Sequence, residues 1–221
     1  TRLVGSEMCI RDRAPYVDCL CKELAATRAA ADAAHLSIKT LYIGGGTPTS
    51  VNAQQLRQLM GTMAEQFDLP ALEEFTVEAG RPDCTDEEKL RIIKEYGATR
   101  ISINPQTFSD EVLRNIGRRH TAQQTVDAFH LAREAGFTNI NMDLIVGLPG
   151  DTYETFCDTI EKVIALDPEN VTVHALALKR SSFITQSGEI NKAHADAALA
   201  DRMMAYAEKR LTERGLEPYY L

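Results

Sequence analysis

The stretch Thr40-Leu41-Tyr42-Ile43-Gly44-Gly45-Gly46-Thr47-Pro48 decides the fold. Four residues of β-branched, aromatic and apolar type read as a short strand, and three glycines and a proline stop it abruptly. Downstream, Ala53 to Phe67 carries Leu56, Leu59, Met60 and Met63 at the spacing of one helix face. Strand, tight turn and amphipathic helix make one β/α unit.

The unit recurs along the chain. Upstream, Tyr16 to about Ala34 is Ala-rich with spaced Leu and reads as a helix. Glu74 to Val77 is the second strand, ending at Glu78-Ala79-Gly80. Thr85 with Glu88 three residues on predicts a capping box for the following helix, which stops at Gly97. Arg100 to Ile103 is the third strand, followed by Asn104-Pro105-Gln106. A short helix spans Ser109 to Ile116, and Thr121 caps another that runs to Ala135. Ile140 to Val146 is the fourth strand, ending at Gly147-Leu148-Pro149-Gly150, and Thr152 opens a helix to Leu166. Val171 to Leu178 is the fifth strand, and a last helix covers about Ala193 to Arg214.

Five alternations of strand and helix call for a parallel sheet. The strands read as continuous apolar runs, which predicts burial on both faces. Right-handed crossovers leave two arrangements, a barrel or an open doubly wound sheet. Polar residues stand at the C-terminal ends of several successive strands, where barrels gather their sites. An open sheet would concentrate them at one switch point. The expected fold class is therefore α/β, a partial parallel (β/α) barrel.

Composition narrows the function. The chain has 221 residues, 44% hydrophobic and 25% charged, enough for one full-sized core. No apolar run approaches the ~20 residues that span a membrane. A net charge of −8 argues against binding a nucleic-acid backbone, which needs a clustered basic face. Cys9, Cys19, Cys21, Cys84 and Cys157 are odd in number and scattered, which predicts reduced thiols and a cytoplasmic setting. Thr1 to Arg13 lacks periodicity, and Gly5 to Arg13 reads as translated sequencing adapter, so residues 1–13 are set aside as non-native. Residues 14–221 are expected to be one barrel core, cut short at Tyr219-Tyr220-Leu221.

The chemistry-bearing residues sit at the strand ends. Gly44-Gly45-Gly46-Thr47 bares the backbone, so N–H and C=O groups can pair with the ammonium and carboxylate of an amino-acid group. The turn lacks the Lys-Ser/Thr of a P-loop and the spaced glycines of a dinucleotide fingerprint. By itself it admits two readings, a ligand cradle or a plain strand-to-helix turn. Glu78 could accept bonds from an ammonium or ribose hydroxyls, or pair with Arg81. Gln106 could bond a polar ligand group. Asp143 interrupts the apolar NINMDLIV, and a buried charge demands a partner. Ligand hydroxyls, Arg118 or Arg119 could fill that role. None of the five histidines pair at metal-ligand spacing.

Taken together, TLYIGGGTPT, FTVEAGRPD, RISINPQTF, NIGRRHT and NMDLIVGLPGDT resemble the radical S-adenosylmethionine (SAM) enzymes. More narrowly they resemble the oxygen-independent coproporphyrinogen III oxidase group, with EAGRPD, HALALKR and PYYL closest to its coproporphyrinogen dehydrogenase branch. The resemblance runs from Pro15 to Leu221. It implies that Gly45, Gly46 and Thr47 hold the methionyl part of SAM, and that Glu78, Gln106, Arg118, Asp143 and Ala177 are further SAM contacts. The implied chemistry is reductive cleavage of SAM to a 5′-deoxyadenosyl radical, hydrogen abstraction from a propionate of coproporphyrinogen III, and decarboxylation to a vinyl group. An electron donor is required. Lys179 and Arg180, a basic pair after the fifth strand, are candidate contacts for the substrate carboxylates.

One departure matters. The group holds a [4Fe–4S] cluster with three cysteines in C-x3-C-x2-C before the position of Pro15, on a first strand that this chain lacks. Cys9 has no companions at that spacing. The chain alone is therefore expected to be inactive. Two further readings stand beside the oxidase: a haem-binding chaperone of the same superfamily, and a radical SAM enzyme with another substrate.

Overall fold

The structure, a computed structural model, describes residues 13–176 and 197–219. Its helices are α1 (Arg13–Ala33), α2 (Ala53–Gln66), α3 (Glu87–Glu95), α4 (Asp110–Asn115), α5 (Ala122–Glu134), α6 (Tyr153–Leu166) and α7 (Ala197–Glu213). Its strands are β1 (Thr40–Ile43), β2 (Glu74–Glu78), β3 (Arg100–Gln106), β4 (Ile140–Val146) and β5 (Asn170–Ala175). The five strands form one sheet in the order β1-β2-β3-β4-β5. The pairings of β1 with β2, β2 with β3 and β4 with β5 are all parallel. An order that never reverses is that of a barrel wall, since a doubly wound sheet turns back at a switch point. The fold is α/β, a partial parallel (β/α) barrel.

Two compact units are recognisable, residues 13–102 with 130–138, and residues 103–129 with 139–176 and 197–219. In the first, α1 packs on α2 and α2 on α3. The stripe Leu56, Leu59, Met60 and Met63 is buried, as its spacing predicts. Asn52 caps α2 and forms a reciprocal box with Gln55. The α3 cap differs from expectation. Asp86 occupies it and accepts from the Lys89 N–H at 2.9 Å. Thr85 is used otherwise: its hydroxyl donates to the Arg81 carbonyl at 3.0 Å and lies 3.3 Å from the buried Thr49 hydroxyl. Aspartate caps at least as well as threonine, and the tertiary contact takes the threonine.

The strands are two-faced rather than apolar on both sides. In the first unit, register pairs Leu41 with Phe75 and Val77 with Ile101 on one face. Phe75, Val77 and Ile101 are fully buried. The other face carries Tyr42, Glu74, Thr76, Glu78, Arg100 and Ser102. Thr76 donates to Glu74 at 2.7 Å, and Arg100 lies 3.8 Å from the same carboxylate.

The second unit repeats the division. Ile140, Met142, Leu144 and Val146 of β4 are fully buried, while Asn141, Asp143 and Ile145 face the other way, opposite Asn170, Thr172 and His174. α6 and α7 pack together around Phe156, Ile160, Val163, Met203 and Ala207. Fully burying each large apolar side chain there is worth roughly 1.5–3 kcal/mol. The rim of this contact is a clasp. Arg210 donates to both Glu161 oxygens at 2.8 Å, and the Tyr206 hydroxyl donates to Oε1 at 2.8 Å. Two strand boundaries also depart from expectation. β3 continues through Pro105 to Gln106, and β5 begins at Asn170, its predicted end at Leu178 lying outside the described residues.

Candidate functional site

The turn after β1 is open backbone. Gly45 and Gly46 have φ of +74° and +52°, and a Cβ at either would meet nothing within 4 Å. Glycine is required there by left-handed backbone, not by crowding. Gly44 differs: a Cβ would run into the Tyr42 ring and approach Glu78 Oε1 to 3.1 Å. The Thr47 hydroxyl donates to the Gly46 carbonyl at 2.8 Å, and the Thr47 carbonyl accepts from the Ser50 N–H at 2.9 Å. Buried Thr49 then anchors the turn.

Glu78 leans over this turn from the end of β2. Its Oε1 accepts from the Tyr42 hydroxyl at 2.5 Å and its Oε2 from the Gly45 N–H at 3.3 Å. Arg81, the alternative partner in sequence, is not paired with it among the described residues. A carboxylate offers about four lone-pair sites, so two remain for a cationic ligand group. Bare amides beside a half-buried carboxylate can hold the carboxylate and ammonium of one amino-acid moiety.

The second unit carries the other candidates. Gln106 ends β3 at φ +66°, a conformation uncommon outside glycine, and is buried. The residues just after it are tied by a hydroxyl network: Thr159 of α6 accepts from the Phe108 N–H at 3.1 Å and lies 3.3 Å from the Thr107 hydroxyl, which accepts from the Ser109 N–H at 3.1 Å. Asp143 is half-buried, and its Oδ1 accepts from Asn141 Nδ2 at 2.7 Å. Thr172 in turn donates to Asn141 Oδ1 at 3.1 Å. The partner is an in-strand amide rather than Arg118 or Arg119. Arg118 is half-buried just beyond α4. Ala177, Lys179 and Arg180 lie outside the described residues.

Three participants escaped the sequence reading: Tyr42, Asn141 and Thr159. For Tyr42 a signal existed, since the period of two in a strand places it on the face of Gly44. No local pattern marks the other two.

Cys19, Cys21, Cys84 and Cys157 are free, and burial pushes the Cys84 and Cys157 thiols up, away from the nucleophilic thiolate. Among the described residues no three His, Cys, Asp or Glu side chains are grouped to hold a metal ion. No described helix is long and apolar enough to cross a membrane.

The Radical SAM superfamily model matches residues 21–163, well over half the chain. The chain belongs to the radical SAM superfamily, whose members use SAM and a [4Fe–4S] cluster. Over 187 residues it is 43% identical to the oxygen-independent coproporphyrinogen-III oxidase-like protein HemZ of Bacillus subtilis, covering 84% of this chain and 37% of that protein. It is 44% identical over 142 residues to the haem chaperone HemW of Lactococcus lactis, covering 64% of this chain and 37% of the chaperone. Among solved structures, coproporphyrinogen III oxidase of Escherichia coli, described as a radical SAM enzyme, superposes with a TM-score of 0.80 at 28% identity. That match covers 95% of this chain and 48% of the oxidase. The chain thus spans well under half the length of the curated relatives it matches.

The described residues fit one of the two cofactors. The left-handed Gly45-Gly46 backbone, open where side chains would stand, and the Glu78 carboxylate suit the amino-acid end of SAM. They do not fit the cluster, for which no ligand set is present among them.

Proposed function

We propose that this chain is the SAM-binding barrel core of a protein that oxidatively decarboxylates propionate side chains of coproporphyrinogen III to vinyl groups. The observation that carries the reading is the glycine turn with Glu78 bound to its Gly45 amide, in a chain 43% identical to a coproporphyrinogen oxidase-like relative. Gly45, Gly46 and Thr47 would hold the carboxylate and ammonium of SAM's methionyl part, with Glu78 accepting from the ammonium. Gln106, Arg118, Asp143 and Ala177 are proposed as further SAM contacts on the strength of the motifs alone. Lys179 and Arg180 are proposed contacts for substrate carboxylates, by charge and place in the sequence.

SAM beside a reduced cluster supplies the hydrogen-atom abstraction that starts the reaction. The protein's own part is binding, orientation and exclusion of water. For each propionate, one hydrogen atom, carbon dioxide and one further electron leave, and an electron donor and an acceptor are required partners. Residues 14–221 form the core domain in this reading, in a cytoplasmic, reducing setting that suits an oxygen-sensitive cluster.

The 44% identity to a haem chaperone favours a second reading, in which the same core serves haem binding and transfer. One experiment separates them. The whole protein carrying this chain, cluster reconstituted under anaerobic conditions, is given coproporphyrinogen III with SAM and, separately, haem. Release of carbon dioxide with vinyl formation supports the oxidase. Stoichiometric haem binding without turnover replaces that reading with the chaperone.

A further inference from the structure

Tyr42, in sequence part of an apolar strand, stays 58% exposed. The core does not hold it. Register places it opposite Thr76, on the same face as Glu78. Its hydroxyl reaches Glu78 Oε1 at 2.5 Å, 36 residues further along the chain. The ring finds room because position 44 has no side chain: a Cβ there would overlap it. Gly44 therefore serves Tyr42, whereas Gly45 and Gly46 serve the turn itself.

The second oxygen of Glu78 is tied to the Gly45 N–H. Donors from a single strand and turn thus grip both oxygens and fix the carboxylate plane. A hydrogen bond to an ionised acceptor is about twice as strong as a neutral one, and it gives direction as well as energy. An ungripped glutamate would have to be ordered by the ligand at an entropic cost.

We propose that Tyr42 is a positioning residue for the amino-acid end of SAM: its hydroxyl, with the Gly45 amide, aims Glu78 at the ligand ammonium, and Gly44 is glycine to admit the ring. The inference rests on the reading of Glu78 as an ammonium contact. It adds a residue and a reason for the first glycine that the motif does not supply.

The test is equilibrium binding to the whole cluster-reconstituted protein, with three ligands. SAM and S-adenosylhomocysteine carry the amino-acid group, and 5′-methylthioadenosine lacks it. Tyr42→Phe should weaken the first two about tenfold and leave the third unchanged. Gly44→Ala, which displaces the ring but keeps the hydroxyl, should reproduce that selective loss. Far-UV circular dichroism establishes that both variants fold. Unchanged SAM binding in Tyr42→Phe, or an equal loss for all three ligands, overturns the inference. Glu78→Gln separates this from the reading beneath it. If Glu78→Gln binds SAM as tightly as the wild type, or if the wild type binds no SAM, the ammonium site itself fails. Loss in Glu78→Gln without loss in Tyr42→Phe sinks only the role of Tyr42.

Discussion

Two turns in this chain share a chemistry in sequence and differ in use. Gly44-Gly45-Gly46-Thr47-Pro48 follows β1, and Gly147-Leu148-Pro149-Gly150-Asp151 follows β4. Each contains left-handed glycines, with φ of +74° and +52° at Gly45 and Gly46, and +77° and +81° at Gly147 and Gly150. The first is exposed, and Cβ atoms at Gly45 and Gly46 would stand in open space. The second is mixed: its middle is buried and Gly150 is exposed. Leu148 is buried, a Cβ at Gly150 would press on Asn115 Nδ2 at 2.7 Å, and Asp151 is buried at the entrance to α6. The lesson is that positive φ explains why glycine is present, while the surroundings decide whether its backbone stands in open space or beside a neighbouring side chain.

The sharpest way to break the comparison is to load both turns with side chains. Gly150→Val forces a β-branched residue into left-handed backbone and moves Asn115, so it should cost about 3 kcal/mol in urea unfolding. A cost below about 1 kcal/mol would show the second turn to be as loosely held as the first.

Thr159→Val tests what rigidifies the second unit near Gln106. It leaves the Phe108 N–H without its acceptor in a buried place, at a cost of about 2 kcal/mol by the same measurement. An unchanged midpoint would mean that the network does not hold the turn.

Gly45→Ala should do the reverse of Gly150→Val. The left-handed backbone costs about 1 kcal/mol with no clash, but on the proposed reading the methyl group takes up space that SAM would fill. Binding in the whole protein should fall more than tenfold while the melting temperature barely moves. A larger loss of stability than of affinity would reverse the assignment of the two turns.

The smallest effect concerns the clasp that holds the helix following the second turn. Arg210 and Tyr206 pull the Glu161 carboxyl down to about 2. A depressed folded-state pKa contributes stability above the ordinary glutamate range, and that stability is lost as pH falls toward about 2. Glu161 is partly exposed, so solvent screens much of the gain. Glu161→Gln should flatten the acid limb of a stability-versus-pH curve in that window and leave its shape near neutrality alone. A wild-type curve that is already flat there would dismiss the clasp.

Much of the candidate site was legible as residue types and little of it as partnerships. Glu78 and Asp143 stood out because charges ending or interrupting apolar strands need partners, and both have them. The partners could not be read. Tyr42 lies 36 residues from Glu78, and Asn141, two residues before Asp143 on the same face of β4, counts in sequence only as one more strand residue. The α3 cap was misplaced by one residue for a similar reason: Thr85 and Asp86 are both good caps, and the buried Thr49 takes the threonine.

The sequence by itself determined the order of strands and helices, the positions that must be glycine, and the strand ends at which polar groups would stand. These follow from periodicity and from backbone angles, which a few neighbouring residues dictate. Tertiary structure alone decided that the strands have one polar face, that Glu78 accepts from Tyr42 and Gly45 together, and that Gly45 and Gly46 stand in open space while Gly150 lies against Asn115. Those facts depend on sheet register and on what lies beside each turn. A shift of one residue in register would send Tyr42 and Glu78 to opposite faces, and nothing local to either residue prevents it.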